Sequence, residues 1–266
     1  MKSPLRKRLL RELKSEFGKY LVVFIMMAIT IAFVSGFLVA DGSMIRAYDD
    51  SFQKYNIEDG YFRTKKKLTI TQKEDIEKSD VKIYENFYIE QKLTNGSTVR
   101  FFKNRKDVDK VCLMKGRMPE KSGEIAVDRM YAENNSLEIG DRVKSGKKAF
   151  RITGLVALSD YSALFQNNND TMFDSVKFGV AIVTDKAFEA LNQVKLQYNY
   201  AWVYDKKPET EKKEKKMAED LMEDMTGVVT LESFVPQFQN QSICFTGDDM
   251  GSDRAMMVML LYIVMA

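Results

Sequence analysis

Residues 20–40, YLVVFIMMAITIAFVSGFLVA, run for twenty-one positions without a charge. At about 1.5 Å per residue, a helix of that length just crosses a hydrocarbon core of about 30 Å. The pattern therefore predicts a transmembrane helix over 20–40. A second apolar run, 255–266 (AMMVMLLYIVMA), has only twelve residues and stops with the chain. It is read as the start of a second membrane helix, truncated here, with a buried or interfacial helix as the rival reading. Ahead of the first run, Leu5, Leu9, Leu13 and Phe17 recur every four residues with Leu10 beside them. Arg6, Lys7, Arg11 and Lys14 fall elsewhere. Residues 1–19 thus read as a cytoplasmic basic amphipathic helix suited to the inner leaflet, and Pro4 sits where a helix can start.

Between the apolar runs the period changes. After a helical continuation to about Gln53, residues 59–63 read as a strand. Thr71 with Glu74 reads as a capping box for a short helix within 69–79. Residues 82–93 alternate weakly, Asn95-Gly96 is a hairpin turn signal, and 98–102 is the returning strand. From 111 to 158, short apolar pieces are divided by turns at Ser122-Gly123, Gly140-Asp141 and Ser145-Gly146. The pieces predict strands at 124–127, 142–144, 149–153 and 155–158, with a helical turn at 129–134. Further on, 178–183 is a strand, Thr184 caps a short helix, and 196–204 is a strand carrying the only tryptophan, Trp202. Residues 208–225 form a charged helix with a thin stripe of Met217, Leu221 and Met225. A strand and loop at 228–236 lead back towards the membrane.

The fold class expected is α+β: a transmembrane helix, a mixed α/β extracytoplasmic domain over 41–253 with an inserted β-rich subdomain at about 104–175, and the start of a second transmembrane helix. The roughly 210 residues between the apolar runs are enough for one or two domains with real cores. Mean hydropathy is −0.32 and 30% of residues are charged, as a water-exposed middle requires.

Charge fixes the expected side. Residues 1–19 hold seven Lys and Arg against Glu12 and Glu16, while the remainder holds 34 basic and 36 acidic side chains. Short basic flanks stay inside, so the N-terminus is expected in the cytoplasm and 41–253 outside the cell membrane. A cleaved signal peptide would have a shorter apolar core and a small-residue site, which Val39-Ala40-Asp41 matches poorly. The basic charge belongs to the membrane flank, so no nucleic-acid partner is expected.

Candidate chemistry is sparse. There is no His, which excludes Ser-His-Asp and Cys-His catalysis and the commonest zinc ligand. No Gly-rich loop followed by Lys-Ser/Thr exists to hold ATP phosphates. Asp248, Asp249 and Asp253 form the most obvious acid cluster, read first as a solvated loop. Cys112 and Cys244 permit a disulfide but give no framework. No catalytic, cofactor-binding or metal residue is assigned, and no cofactor. Gly116, Gly123, Gly140 and Gly154 are read as turn positions, with Arg117, Glu124 and Asp141 pairing or capping nearby backbone.

The order Leu113, Gly116-Arg117, Gly123-Glu124-Ile125, Ala132, Leu137-x-Ile139-Gly140-Asp141-x-Val143 and Phe150-x-Ile152-x-Gly154 resembles the extracytoplasmic core domain of MacB/FtsX-type ABC transporter permeases. The basic N-terminal helix, the span and the exterior domain fit the same family. The resemblance covers the whole chain, best at 1–63 and 111–158. It implies a permease fragment that passes cytoplasmic ATPase motion to the exterior domain for export or mechanical signalling. It implies a multi-pass full-length protein and no enzyme activity, since ATP hydrolysis falls to a separate subunit or domain. The partners implied are a cytoplasmic ABC ATPase, a second permease copy or half, membrane lipid, and an extracytoplasmic substrate or protein. The alternatives are a membrane-anchored extracellular sensor or interaction module without transport, and a tethered extracellular enzyme.

Overall fold

The computed structural model describes residues 14–146 and 148–265. They divide into two compact units, with boundaries at Tyr48/Asp49 and Thr246/Gly247.

Helix α1 (Phe17–Lys54) has 38 residues and is roughly 57 Å long at 1.5 Å per residue. The apolar run forms its first part. Phe24, Phe33 and Val39 are exposed there by 66–70%, an arrangement that suits a hydrocarbon solvent and not water. Among the described residues, α1 is the one helix long and apolar enough to cross a membrane. The amphipathic pattern of 1–19 falls mostly on residues outside those described.

The unit 49–246 holds most of the remaining elements. First come β1 (Gly60–Thr64), α2 (Ile70–Glu77), β2 (Val81–Glu85), β3 (Tyr88–Lys92) and β4 (Thr98–Lys103). Next are β5 (Cys112–Gly116), β6 (Glu124–Asp128), α3 (Arg129–Asn134), β7 (Arg142–Ser145) and β8 (Lys148–Ala157). The chain continues through β9 (Phe178–Val183), α4 (Asp185–Glu189), β10 (Leu196–Tyr204), α5 (Glu211–Thr226) and β11 (Leu231–Pro236). Helix α6 (Gln241–Met265) begins in this unit and takes in the second apolar run through residue 265.

Strand order explains the build. Strands β11-β1-β10-β2 lie side by side, each antiparallel to its neighbour. With α2 and α5 as the connections, this is a split βαβ arrangement. Between β2 and β10 the chain builds a second set in the order β3-β4-β9-β6-β8-β5, with β7 on β8. The segment 104–175 therefore shares its sheet with β3, β4 and β9. β10 joins the two sets: 200–204 pair with β2, and Leu196 and Gln197 pair with β3.

Each set has its own core. In the first, Phe62, Tyr200 and Trp202 point towards Ile76, Leu221 and Met225. Trp202 stacks on Phe234 at 4.6 Å and Phe62 on Tyr200 at 5.2 Å. Alternation along the strands sends Tyr61, Arg63 and Asn199 to the opposite face, which α2 and α5 leave uncovered. In the second, Phe101, Ile125, Tyr131, Ile152 and Ile182 are fully buried together.

Two local readings are corrected. The capping box of α2 uses Thr69 and Gln72 rather than Thr71 and Glu74. Both pairs fit the same four-residue pattern, but Gln72 also donates to the Val228 carbonyl at 3.3 Å, and that tertiary bond favours the earlier register. Second, Gly154 lies within one continuous strand, β8, and not at a turn. The β6–β8 pairing shifts register there, Ile125 facing Ile152 and Ala126 facing Gly154, so this glycine marks a bulge. A Cβ on Gly154 would sit 2.5 Å from the Arg117 carbonyl oxygen. Gly154→Ala is accordingly expected to destabilise the folded unit by about 1–3 kcal/mol, the usual cost of overpacking. Urea denaturation checks this, and an unchanged midpoint contradicts it.

Candidate functional site

The residues that carry the family pattern are occupied by one another. Arg117 donates twice to the Glu124 carboxylate, at 2.9 and 2.6 Å. Glu124 also accepts from the backbone N–H of Glu120 and Lys121. Arg117, with those backbone donors, pulls the Glu124 carboxyl down to about 2. Asp141 accepts from the Glu138 N–H at 2.8 Å. These bonds pin the turns between β5, β6 and β7 and leave no convergent set of groups for a ligand.

A different place has the shape of a site. A cavity of about 540 Å³ lies over the uncovered face of β1, β10 and β11, within the usual range for small-molecule pockets. Arg63 and Tyr61 of β1, Asn199 of β10 and Ser233 of β11 form its floor. Tyr88, Tyr161 and the Asn-rich segment 166–169 form its walls. Register pairing sets Asn199, Arg63 and Ser233 in one row across three strands.

Beneath the cavity is a buried charge network. Arg105 grips Asp160 with two bonds, 2.6 and 2.8 Å, and both side chains are buried. Asp109 accepts from the Glu58 N–H at 2.9 Å and from the Asn86 amide at 3.0 Å. Glu58 Oε2 and Asn86 Oδ1 are buried without a hydrogen-bond partner. Burial pushes the Glu58 carboxyl well above its ordinary range, and Asp109 and Asp160 push it further. Burial, with Asp160 adding to it, raises Asp109 to about 7. Three carboxyl groups thus face the single Arg105 guanidinium, and protons stand in for the missing cations. Higher in the wall, Arg100 donates to Glu90, to the Tyr161 hydroxyl and to the Gln166 carbonyl, and stacks over Tyr88 at 4.2 Å.

The other sequence candidates lie elsewhere. Asp248, Asp249 and Asp253 lie on α6, outside this cavity. No group of three His, Cys, Asp or Glu placed to hold a metal ion occurs among the described residues. Cys112 and Cys244 are both thiols; Cys244 Sγ donates to the Gln237 carbonyl at 3.2 Å. Sequence reasoning missed the cavity floor. The signal was present in GYFRT, where Tyr61 and Arg63 alternate against Phe62 in a strand with a buried face.

No family model and no curated protein matches the sequence. The solved structures similar to it include two extracytoplasmic transporter domains. One is the extracellular domain of the noncanonic ABC-type transporter YknZ from Gram-positive bacteria, at 13% identity over 65% of this chain and 98% of that one, with a TM-score of 0.35. The other is the periplasmic region of MacB from Actinobacillus actinomycetemcomitans, at 13% identity over 71% and 91%, with a TM-score of 0.39. Both are domains that lie outside the cytoplasm.

Proposed function

We propose that the chain is the anchoring and extracytoplasmic part of the permease subunit of an ATP-driven ABC transporter of the MacB/FtsX type. The observation that carries this reading is α1. One unbroken helix takes in the whole apolar run and ends four residues before Glu58 of the buried network. A stiff helix of that kind can pass an event at the membrane to a folded domain, provided that the domain has two arrangements the event favours unequally. The sequence pattern at 111–158 supports the same family. In this reading 1–19 is cytoplasmic, 20–40 spans the membrane, 41–253 is extracytoplasmic, and 255–266 opens a second span. A cytoplasmic ATPase, a second permease copy or half, and membrane lipid are the partners, and no catalytic role is assigned to the chain. The cavity favours a second reading, a membrane-anchored sensor module without transport of its own.

Topology is the first test. With Cys112 and Cys244 replaced by Ser, a cysteine at Lys121, which is exposed, should react with an impermeant maleimide on intact cells. A cysteine at Ser3 should react only after lysis. The opposite pattern overturns the proposed sidedness.

A further inference from the structure

Among the described residues, the polar cavity contains one cation that the protein does not neutralise. Arg63 donates from Nε to the Ser233 hydroxyl at 3.1 Å and from Nη1 to the Tyr88 hydroxyl at 3.1 Å. Both acceptors are neutral, and neither bond uses Nη2. Burial opposes its charge, and Tyr88, Tyr61 and a second cation, Arg100, lie close enough to act on it. Its neighbours are treated differently: Arg100 is paired with Glu90 and Arg105 with Asp160. Glu90 shares a hollow with both guanidiniums but bonds Arg100. Arg63 is therefore a half-buried guanidinium beside another one with no carboxylate bonded to it, which costs free energy unless something else supplies the anion.

The surrounding groups fit an anion as well. Asn199 sits directly across from Arg63 in the β1–β10 register and is buried, its side chain lining the cavity. Tyr61 lies on the same face two residues before Arg63, and burial pushes its phenol to about 12, so it remains a donor. Lys195 and Glu90 line the adjoining hollow that shares Arg63, Tyr88 and Arg100, and Glu90 is taken up by Arg100. Two carboxyl groups also line the cavity. Asp160 is neutralised by Arg105, and Glu58 is held towards its protonated form by burial and by Asp109.

We propose that the uncovered face of β1, β10 and β11 binds the oxyanion of a small molecule, a carboxylate or a phosphate, with Arg63 as its anchor and Asn199 and Tyr61 as further donors. The planar guanidinium fork presents parallel N–H donors that match two oxygens of either group. The cavity leaves room for a body beyond the anion, which Tyr88 and Tyr161 would flank. The inference does not depend on a transport role and serves the sensor reading equally.

The test uses the full chain in detergent at pH 6.5, titrated separately with inorganic phosphate and with citrate against sodium chloride at matched ionic strength. At least one of the two oxyanions should raise the melting temperature saturably beyond the chloride control. Arg63→Gln should weaken that response at least tenfold while leaving the unliganded melting temperature no lower than wild type. Asn199→Asp supplies an internal carboxylate beside Arg63. It should raise the unliganded melting temperature and suppress the response, so the test survives if Arg63→Gln does not fold. A phosphate response identifies the phosphate class and a citrate response the carboxylate class. If neither exceeds chloride, or if the response is unchanged in a folded variant, the proposal is overturned.

Discussion

Asp160→Asn is expected to destabilise the folded unit 49–246 by about 3–5 kcal/mol, the usual cost of removing one partner from a buried ion pair. Arg105 and Asp160 are joined by two short bonds, and their side chains are only 6% and 4% exposed. Asparagine keeps one acceptor oxygen but removes the charge. The guanidinium is then left buried with Nε already lacking a partner. Against a total stability of about 5–15 kcal/mol, that loss brings a domain close to unfolding. Urea denaturation of segment 44–250, which carries both cores of the unit and is expected to fold alone, gives the value. Replacing both residues by apolar ones of similar size, Arg105→Met with Asp160→Leu, should recover most of the loss, because no unpaired charge remains. A loss below about 1 kcal/mol for Asp160→Asn would mean that water reaches the pair and that the network is not closed.

The second large effect is a stability that falls as pH rises. Burial raises Glu58 and Asp109 in the folded state, Asp109 to about 7. The folded domain therefore keeps protons that the unfolded chain releases near pH 4. The stability this provides is fully present below about pH 4 and is lost as pH rises through about 7. A tenfold difference in proton affinity between the folded and unfolded chain is worth about 1.4 kcal/mol. Asp128, raised to about 6 by burial, adds to the same trend. Glu124 acts in the other sense, but only as pH falls from about 4.5 towards 2. Between pH 5 and 8 the wild-type domain should therefore lose stability. Glu58→Gln removes one of the three facing carboxyl groups, so it should flatten the decline and exceed wild type at pH 8. A wild-type stability that rises across this window, or an unchanged slope in Glu58→Gln, contradicts a closed network of three carboxyl groups around Arg105.

How much of this was legible in the chain follows from the range of each interaction. Local signals read well: the Asn95-Gly96 hairpin turn, with Gly96 at φ 88°, the Thr184 cap, and the helical turn at 129–134 each depend on a few adjacent residues. The apolar run was legible as α1 because an unbroken stretch of about twenty apolar residues is a signal that each residue carries without distant partners. Degenerate local codes misled, as at Thr69 and Thr71, where a bond to Val228 decided the register. Gly154 read as a turn because a bulge inside a strand and a break between strands look alike in sequence. The strand order was not legible, since β4 with β9 and β6 with β8 pair in parallel across long separations. The cavity was hidden for the same reason. Arg63 meets Asn199 and Ser233 only after β10 and β11 return to either side of β1, from 136 and 170 positions away.

In the proposed function, this chain passes an event at the inner membrane face to a domain outside it. Spin labels on Lys121→Cys, in a cysteine-free full-length protein assembled with its ATPase, would report the separation of two exterior copies. The distance distribution should shift between the nucleotide-free and ATP-trapped states. An unchanged distribution, with ATP demonstrably bound, would contradict the account.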